Sequence, residues 1–337
     1  MRKSIAPETR LGGYTLIELL IALAIGSITI LAAAQCLVTA NRLLQTRDAV
    51  AEMRERARFA LATLEPDLQM AGYFGLTSHG NDFFWMSGGD ATTAAAPALL
   101  AQSAPVLSTV PVSAQSCGNN FALNLARPIQ ADNNAFVLST SRTGGCAPSG
   151  GAHAGSDTLT LRRAATTIAT PESGRLQLLV DRSDERRRWI IADGLAPAGV
   201  VIGDDLLEWH NLEVRSYYIS NSSVGMPGLP SLRVKSLTSL AGRPAFVDTE
   251  VMPGVEDLQV QFQTDQGVFN PDAVPDSAQI KLVQLWLRLR TVNRETGFID
   301  SRNYRYADTS LTPAIADQPY RRLLITRSVA IRNAALF

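Results

Sequence analysis

The first 70 residues contain two hydrophobic patterns. From Tyr14 to Ala40 the chain is apolar for 27 residues and carries one charge, Glu18. An α-helix needs roughly 20 apolar residues to cross a bilayer, so this stretch predicts a membrane-spanning helix. Residues 1–13 carry three basic side chains and one acidic side chain. A positive flank favours a cytoplasmic N-terminus, which would place the rest of the chain in the periplasm or outside the cell.

Beyond residue 40 the pattern becomes one-sided. Apolar residues recur every three or four positions through residue 68, and charged residues fill the positions between them. This spacing predicts an amphipathic helical half at 41–70 that lies on a core. We expect Pro66 to end or kink the helix, because it lacks an amide donor and disfavours helix at the preceding residue. The predicted core positions are Val50, Met53, Ala57, Leu61, Leu64 and Leu68.

Residues 158–337 have the pattern of β-strands. Short β-rich segments alternate with turn residues, which predicts an antiparallel sheet. The clearest strand is 279–292, where alternation predicts one core face and one more polar face. The expected fold class is therefore α+β, with the long N-terminal helix packed on a β-rich periplasmic domain. The other predicted strands are 158–163, 174–180, 188–193, 212–220, 231–237, 257–263 and 321–333.

A loop-rich insertion is predicted at 71–157. No charged residue occurs from Ala91 to Ala126, and Ala, Ser, Thr and Pro dominate this stretch. Such a composition is typical of an extended surface loop, with short strand-like stretches at 105–112 and 120–125.

The chain has three cysteines, of which Cys117 and Cys146 lie in Gly-, Ser- and Asn-rich sequence. In an oxidising periplasm two such cysteines commonly pair, which predicts a Cys117–Cys146 disulfide over the alternative of two free thiols. Cys36 lies within the membrane helix and is predicted to be a small packing residue.

Composition and motifs argue against several functions. Lys and Arg number 31 against 31 Asp and Glu, so nucleic acid is not expected as the main partner. No zinc-site spacing and no hydrolase, P-loop or dinucleotide-binding motif occurs, so we expect no enzyme, cofactor or metal site. The charge run 181–188 is interpreted as a solvated turn. The acid spacing at 265–276 departs from a calcium loop and favours a hairpin loop.

Two other interpretations of the N-terminus are weaker. A secretory signal peptide could be cut near Ala34 and Gln35, but the apolar region is long for such a signal and Glu18 is costly within it. Lipid attachment at Cys36 fits less well, because Gln35 stands where a small residue is expected.

The segment Gly12-Gly13-Tyr14-Thr15-Leu16-Ile17-Glu18 resembles the processing site of type IV prepilins and type II secretion pseudopilins. The resemblance implies that a prepilin peptidase removes a leader, 1–13, by cutting after Gly13. It also implies N-methylation of Tyr14, which leaves Glu18 as the fifth mature residue.

The spacing suggests how Glu18 acts in assembly. After cleavage the Tyr14 amine is a cation one helical turn from the Glu18 carboxylate. Each group is costly alone in a membrane, and the carboxylate of one subunit can pair with the amine of its neighbour in a filament. The alternative is a tolerated charge near the membrane surface.

Two further regions resemble PilW-like minor pilins. Residues 56–74 contain an ARFAL-type stretch, an acidic residue at Asp67 and an AGY-type turn with Gly72. The segments 254–262, 282–291 and 320–333 are similar to the family's C-terminal strands, in that order.

The resemblance implies an assembly subunit: a minor pilin that primes or caps a type IV pilus. Its expected partners are the prepilin peptidase, other minor pilins, the major pilin and the inner-membrane assembly platform. Its expected location is the inner membrane as a single-pass protein with a periplasmic domain, followed by incorporation into the pilus. The alternatives are a type II secretion minor pseudopilin and a pilus-tip adhesin or DNA-capture subunit.

Overall fold

The computed structural model describes residues 13, 15–75, 83–86, 98–99, 117, 121–136, 138, 146–182, 188–191, 205–275 and 278–333. The chain divides into two compact units, Met1–Glu52 and Met53–Phe337. Helix α1, Leu16–Met70, contributes to both. The predicted strand-like stretch at 105–112 and His79 lie outside the described residues.

In the described part of the first unit, no residue of α1 is buried. Its large apolar side chains from Leu16 to Leu44 are exposed, with 77% exposure at Leu16 and 55% at Leu44. The helix is long and apolar enough to cross a membrane, with a mean hydropathy of 2.4 in its most apolar window. This agrees with the predicted anchor, since such side chains need a nonaqueous environment.

In the second unit, α1 buries one face. Met53, Ala57, Leu64 and Leu68 are buried, which confirms these four predicted core positions. Of the two effects expected of Pro66, an end of the helix is wrong, because the helix continues to Met70, and a kink stays a prediction. Tertiary packing of the last turn outweighs the local preference, since Asp67 and Leu68, which directly follow Pro66, are both buried.

Two sheets form the rest of the second unit. The larger has strand order β2-β1-β6-β5-β7-β4-β3, and β8 and β9 extend from β7. Its pairs are antiparallel except β1 with β6. Its strands are β1 (Phe84–Met86), β2 (Ala98–Leu99), β3 (Ile129–Asp132), β4 (Thr158–Ile168), β5 (Gln177–Asp181), β6 (Arg188–Ile191), β7 (Leu207–Ser220), β8 (Ser231–Leu240) and β9 (Arg243–Pro253).

The smaller sheet has the order β11-β10-β12-β15 and is antiparallel. A separate hairpin joins β13 to β14. These strands are β10 (Val255–Thr264), β11 (Val268–Phe269), β12 (Ile280–Arg290), β13 (Tyr304–Tyr306), β14 (Thr309–Leu311) and β15 (Arg322–Ala330). The region 265–276 thus contains a hairpin between β10 and β11, although Asp276 is not among the described residues.

The main core lies between the buried face of α1 and both sheets. Leu64 and Leu68 share one cluster with Leu159 and Tyr217 of the larger sheet and Leu285 of the smaller sheet. The α+β fold is therefore as predicted. The packing also explains the alternation in β12, whose Leu285 face is the core face.

The region 71–157 is more structured than its composition predicts. It contributes β1, β2 and β3, and β3 pairs with β4 in the larger sheet. Residues Phe121–Leu123 form a 3-10 helix and are buried, so the strand expected at 120–125 is wrong. Short elements of this kind are stabilised by distant partners and leave little local periodicity.

Candidate processing and assembly site

Gly13 precedes α1 and is exposed. A Cβ built on it meets nothing within 4 Å. The fold around the described part of the N-terminus therefore does not require glycine here by steric contact. Tyr14, the other predicted processing residue, lies outside the described residues.

Glu18 closes a capping box with Thr15. The Thr15 backbone N–H donates to Glu18 Oε2 at 2.9 Å, and the Thr15 hydroxyl donates to the same oxygen at 3.1 Å. In return, the Glu18 N–H donates to Thr15 Oγ1 at 3.3 Å. The first amides of a helix lack intrahelical acceptors, so these bonds satisfy two of them.

This contact was missed in the sequence interpretation, although the Thr-x-x-Glu spacing is a recognised helix-start signature. It gives Glu18 a role within its own helix. The carboxylate is also favoured at the positive N-terminal end of the helix dipole. The same carboxylate remains exposed, so it is accessible to a second group.

A buried acid anchors the end of α1 to the larger sheet. Asp67 is 2% exposed and accepts hydrogen bonds from Arg215 Nη1 at 2.8 and 2.9 Å. The Tyr217 hydroxyl donates to Asp67 at 2.5 Å, and Arg163 Nη2 does so at 3.3 Å. Burial and the Asp67 carboxylate raise the pKa of Tyr217, so the phenol remains a donor. Asp67 was predicted only as a family-like acid, because its partners are far away in sequence.

The face of β12 opposite the core is polar but mostly buried. Arg288 Nε and Arg322 Nε each donate to Glu256 Oε2, at 3.0 and 2.8 Å. The Tyr306 hydroxyl donates to Asp257 at 2.5 Å. Burial raises the pKa of Glu256, but the two arginines lower it by more than burial raises it. The pKa of Glu256 therefore lies below its ordinary value. This cluster joins β10, β12, β13 and β15 and has a structural role.

Cys117 and Cys146 form a disulfide with a Cα–Cα distance of 5.1 Å. Both are buried in a second core cluster that includes Phe74, Phe121 and Leu178. Residues just after Cys146 are also fixed, since Lys235 Nζ donates to the Ala147 carbonyl at 2.7 Å.

Lys235 is itself a fully buried cation. Its ammonium contacts Asp248 Oδ2 at 2.8 Å, and its side chain has 0% exposure. Burial lowers the pKa of Lys235, while Asp248 opposes that shift. The disulfide and this ion pair together hold the segment after Cys146 against the larger sheet.

The described parts of the chain contain no group of three or more His, Cys, Asp or Glu placed to hold a metal. His153 and His210 have separate partners, Asn221 and the Ala165 carbonyl. Cys36 is a free, exposed cysteine. The geometry thus centres on the N-terminal segment and on the contacts that attach α1 to the sheets.

Comparisons with known proteins identify two regions. Residues 216–333 match the family "Type IV Pilus-assembly protein W", and residues 10–34 match the "Prokaryotic N-terminal methylation motif". The chain is PilW-like. The first match runs from the end of β7 through β15, and the second covers Gly13, Tyr14 and Glu18.

The PilW-like chain is also similar to a type IV-like pilin from Thermus thermophilus. The identity is 14%, the match covers 53% of this chain and 80% of that chain, and the TM-score is 0.26. A likeness of this extent does not bear on function. No curated protein sequence matches the chain.

The two matches and the apolar helix support membrane anchoring and a pilus-related role for this pilin-like chain. A pilin motif implies processing by a prepilin peptidase and interaction with other pilins.

Proposed function

We propose that the protein is a minor pilin that primes or caps type IV pilus assembly after prepilin cleavage. Cleavage after Gly13 removes the leader, and the new Tyr14 amine is methylated. The protein then acts by assembly rather than by catalysis. The match of residues 216–333 to a pilus-assembly family favours a pilus over a secretion pseudopilus.

The observation that carries this proposal is the position of Glu18. It is the one charged residue between Tyr14 and Ala40, and it lies in the first turn of a helix whose apolar side chains are exposed. A carboxylate at such a place is expensive in hydrocarbon and marks a functional contact. Its intrahelical partners are neutral groups of Thr15, so its charge is not compensated within the described part of its own helix.

Assembly supplies the missing positive charge. The Tyr14 amine of a neighbouring subunit would approach the exposed Glu18 carboxylate and form a charge-assisted hydrogen bond. The Thr15 cap holds the carboxylate at the start of the helix before the partner arrives. Gly13 supports the proposed cleavage. A Cβ at this position would meet no atom of the described chain within 4 Å, so steric contact does not explain why a glycine stands here.

The proposed location is the inner membrane, with a cytoplasmic N-terminus and a periplasmic β-rich unit, followed by incorporation into the pilus. The basic leader supports this orientation. The buried disulfide agrees with an oxidising compartment. The proposed partners are the prepilin peptidase, the major and other minor pilins, and the assembly platform.

Glu18→Gln removes the negative charge of Glu18 but keeps a side chain that can cap the helix. Glutamine can accept the Thr15 N–H as glutamate does, because both residues serve at this position of a capping box. It cannot neutralise an amine. We therefore expect Glu18→Gln and Glu18→Ala to lose incorporation into sheared pili by a similar factor, in a strain lacking the native copy.

Two controls complete the experiment. Glu55→Ala removes an exposed acid of the same helix, whose side chain is 73% exposed, and it should incorporate normally. Thr15→Val removes the hydroxyl of the cap but keeps the charge, so it should incorporate better than Glu18→Gln. Normal incorporation of Glu18→Gln would contradict the proposed charge pairing.

A further inference from the structure

A groove with a volume of about 400 Å³ runs along the outer edge of β3 in the second unit. One wall is formed by residues 126–131, which are β3 and the residues just before it. The other wall contains Phe262 of β10, Val274 and Ile280, all of them apolar. We call this cavity the β3 groove, and its volume is typical of a ligand pocket.

The backbone of β3 has one open edge, and that edge lines the groove. β3 is the last strand of the larger sheet. The Arg162 N–H of β4 donates to the Pro128 carbonyl at 2.8 Å. Because bonded positions alternate in an antiparallel ladder, the N–H and C=O groups of Ile129 and Ala131 point away from β4 and toward the groove. Within the described part of the chain, these groups have no hydrogen-bond partner.

An open strand edge of this kind binds one class of ligand well. An extended segment can add to it as a further strand, since its backbone supplies the missing donors and acceptors. Its side chains then meet the apolar wall, where Phe262 is 2% exposed. The β3 groove is therefore suited to a short, extended and apolar segment.

The charged neighbours of the groove favour an uncharged ligand. Arg127 is exposed and alone carries a charge among the described lining residues. Asp132, directly after Ala131, and Asp272, which is exposed on the 3-10 helix Pro271–Ala273, lie close by but do not line the groove. Because charges of both signs surround the groove, a segment of either charge would be repelled by one of these groups.

The chain itself contains a segment of this chemistry. Residues 334–337 are Ala, Ala, Leu and Phe, which carry no charge. They follow β15, and the Ile331 N–H just after that strand donates to the Lys281 carbonyl at 3.1 Å. Lys281 is the neighbour of Ile280, so the chain leaves β15 beside one wall of the groove.

Asn333 lies near the opposite wall. Its Nδ2 donates to the Ala71 carbonyl at 3.3 Å, and the N–H of the next residue, Gly72, donates to the Arg162 carbonyl at 3.0 Å. Arg162 is the residue that is bonded to Pro128. Asn333 is therefore held close to the Pro128 end of the β3 groove.

The length of the segment matches the length of the open edge. An extended chain rises about 3.3 Å per residue, so residues 334–337 can cover about 13 Å. The three steps from Pro128 to Ala131 cover about 10 Å on the same basis. A segment that starts after Asn333 can therefore reach both Ile129 and Ala131.

We propose that residues 334–337 bind in the β3 groove as an added strand on the open edge of β3. The backbone of the segment pairs with Ile129 and Ala131, while Leu336 and Phe337 cover the apolar wall. The bound segment closes the edge of the larger sheet, which is otherwise a place where another chain could pair. This inference is independent of prepilin cleavage and of Glu18, so each can fail alone.

Residue-resolved hydrogen exchange of the full chain in detergent tests this proposal. The amides of Ile129 and Ala131 are the reporters, and we expect them to be protected in the wild type. The amides of Gln130 and Asp132 are internal controls, because they face β4 and are bonded within the sheet. Their protection reports on the sheet rather than on the groove.

The double variant Leu336→Asp/Phe337→Asp should release the segment. We expect exchange at the two reporter amides to become roughly tenfold faster or more, the factor that corresponds to one buried aliphatic side chain. The two control amides should not change. The matched control is Ile299→Asp, which makes the same chemical change at a residue that is 68% exposed and does not line the groove. It should leave all four amides unchanged.

A variant on the other wall tests the groove itself. Ala278→Glu places a charged side chain in the groove from the wall opposite β3. It should speed exchange at the same two reporter amides. Because both changes remove the same contact, combining it with the double variant should give no further increase.

Three results would overturn the proposal. The first is equal exchange of the reporter amides in the wild type and in the double variant. The second is an equal increase at all four amides, which would mean that residues 334–337 support the whole sheet and not its open edge. The third is protection in the wild type that disappears on dilution, which would assign the groove to a second copy of the chain.

Discussion

Replacing Asp67 by alanine tests how α1 is attached to the sheet. The substitution removes the acceptor for Arg215, Tyr217 and Arg163 at a site that is 2% exposed. Breaking a buried ion pair by deleting one partner costs about 3–5 kcal/mol. The expected loss in unfolding free energy depends on whether each of these three donors finds water or another acceptor when Asp67 is removed.

The partners differ in their access to water. The Tyr217 hydroxyl is fully buried and would lose its acceptor, which costs about 1–3 kcal/mol. The Arg215 side chain is 36% exposed and can be rehydrated, and Arg163 keeps its ion pair with Glu213. We therefore expect the lower end of the range, about 3 kcal/mol.

Denaturant and thermal unfolding of the full chain in detergent would measure this loss. All four tryptophans lie beyond Met53, so their fluorescence reports on the second unit. A loss of about 3 kcal/mol corresponds to a fall in Tm of roughly 6–12 °C. Glu55→Ala is the matched control, because its exposed pair with Arg58 should contribute at most about 1 kcal/mol.

Tyr217→Phe refines the measurement. It removes one charge-assisted hydrogen bond but leaves Asp67 paired with Arg215, so it should cost less than Asp67→Ala. If Asp67→Ala is no less stable than Glu55→Ala, the proposed anchoring role of Asp67 is refuted.

Three other predictions concern the second unit. Reducing the Cys117–Cys146 disulfide, which closes a sequence separation of 29 residues, should lower the unfolding free energy by about 3–4 kcal/mol; unchanged urea midpoints of a double Cys→Ser variant would contradict this. Gly174→Ala should lower the Tm much more than Gly155→Ala. Both glycines have positive φ, but a Cβ at 174 would lie 2.2 Å from the Gly242 carbonyl carbon, whereas a Cβ at 155 would have no atom within 4 Å. Equal losses in Tm would show that the close approach is not the cause. Burial raises the pKa of Asp157 from 3.8 to about 7. The contribution of the protonated Asp157 to the unfolding free energy is therefore full below about pH 4 and is lost as the pH rises through 7, by at most about 1.4 kcal/mol per pH unit. Urea unfolding from pH 5 to 8 should show this fall in the wild type and a smaller fall in Asp157→Asn.

Periodicity was enough to predict the elements that bury one regular face. The alternation in β12 and the spacing of Met53, Ala57, Leu64 and Leu68 each follow from a helix or strand on a single core. The Thr15–Glu18 contact could also have been predicted, since both residues lie within one helical turn.

The remaining features depend on partners that are distant in sequence. Strand β9 contains Asp248 and Glu250, which locally disfavour a strand, yet Arg233 contacts both across the sheet. Arg288 lies on the face that the alternation predicts to be more polar, but the alternation did not predict that its side chain is buried against Glu256. Such neutralising pairs are set by strand register, and a single sequence does not display that register.

The N-terminal residue of the mature protein tests the central claim most directly. Intact mass and N-terminal peptide analysis of the protein purified from membranes should find a chain that begins at N-methylated Tyr14, and Gly13→Val should retain residues 1–13. A chain that begins at Met1, or one cut between Ala34 and Gln35, would contradict the account of this protein as a processed pilin.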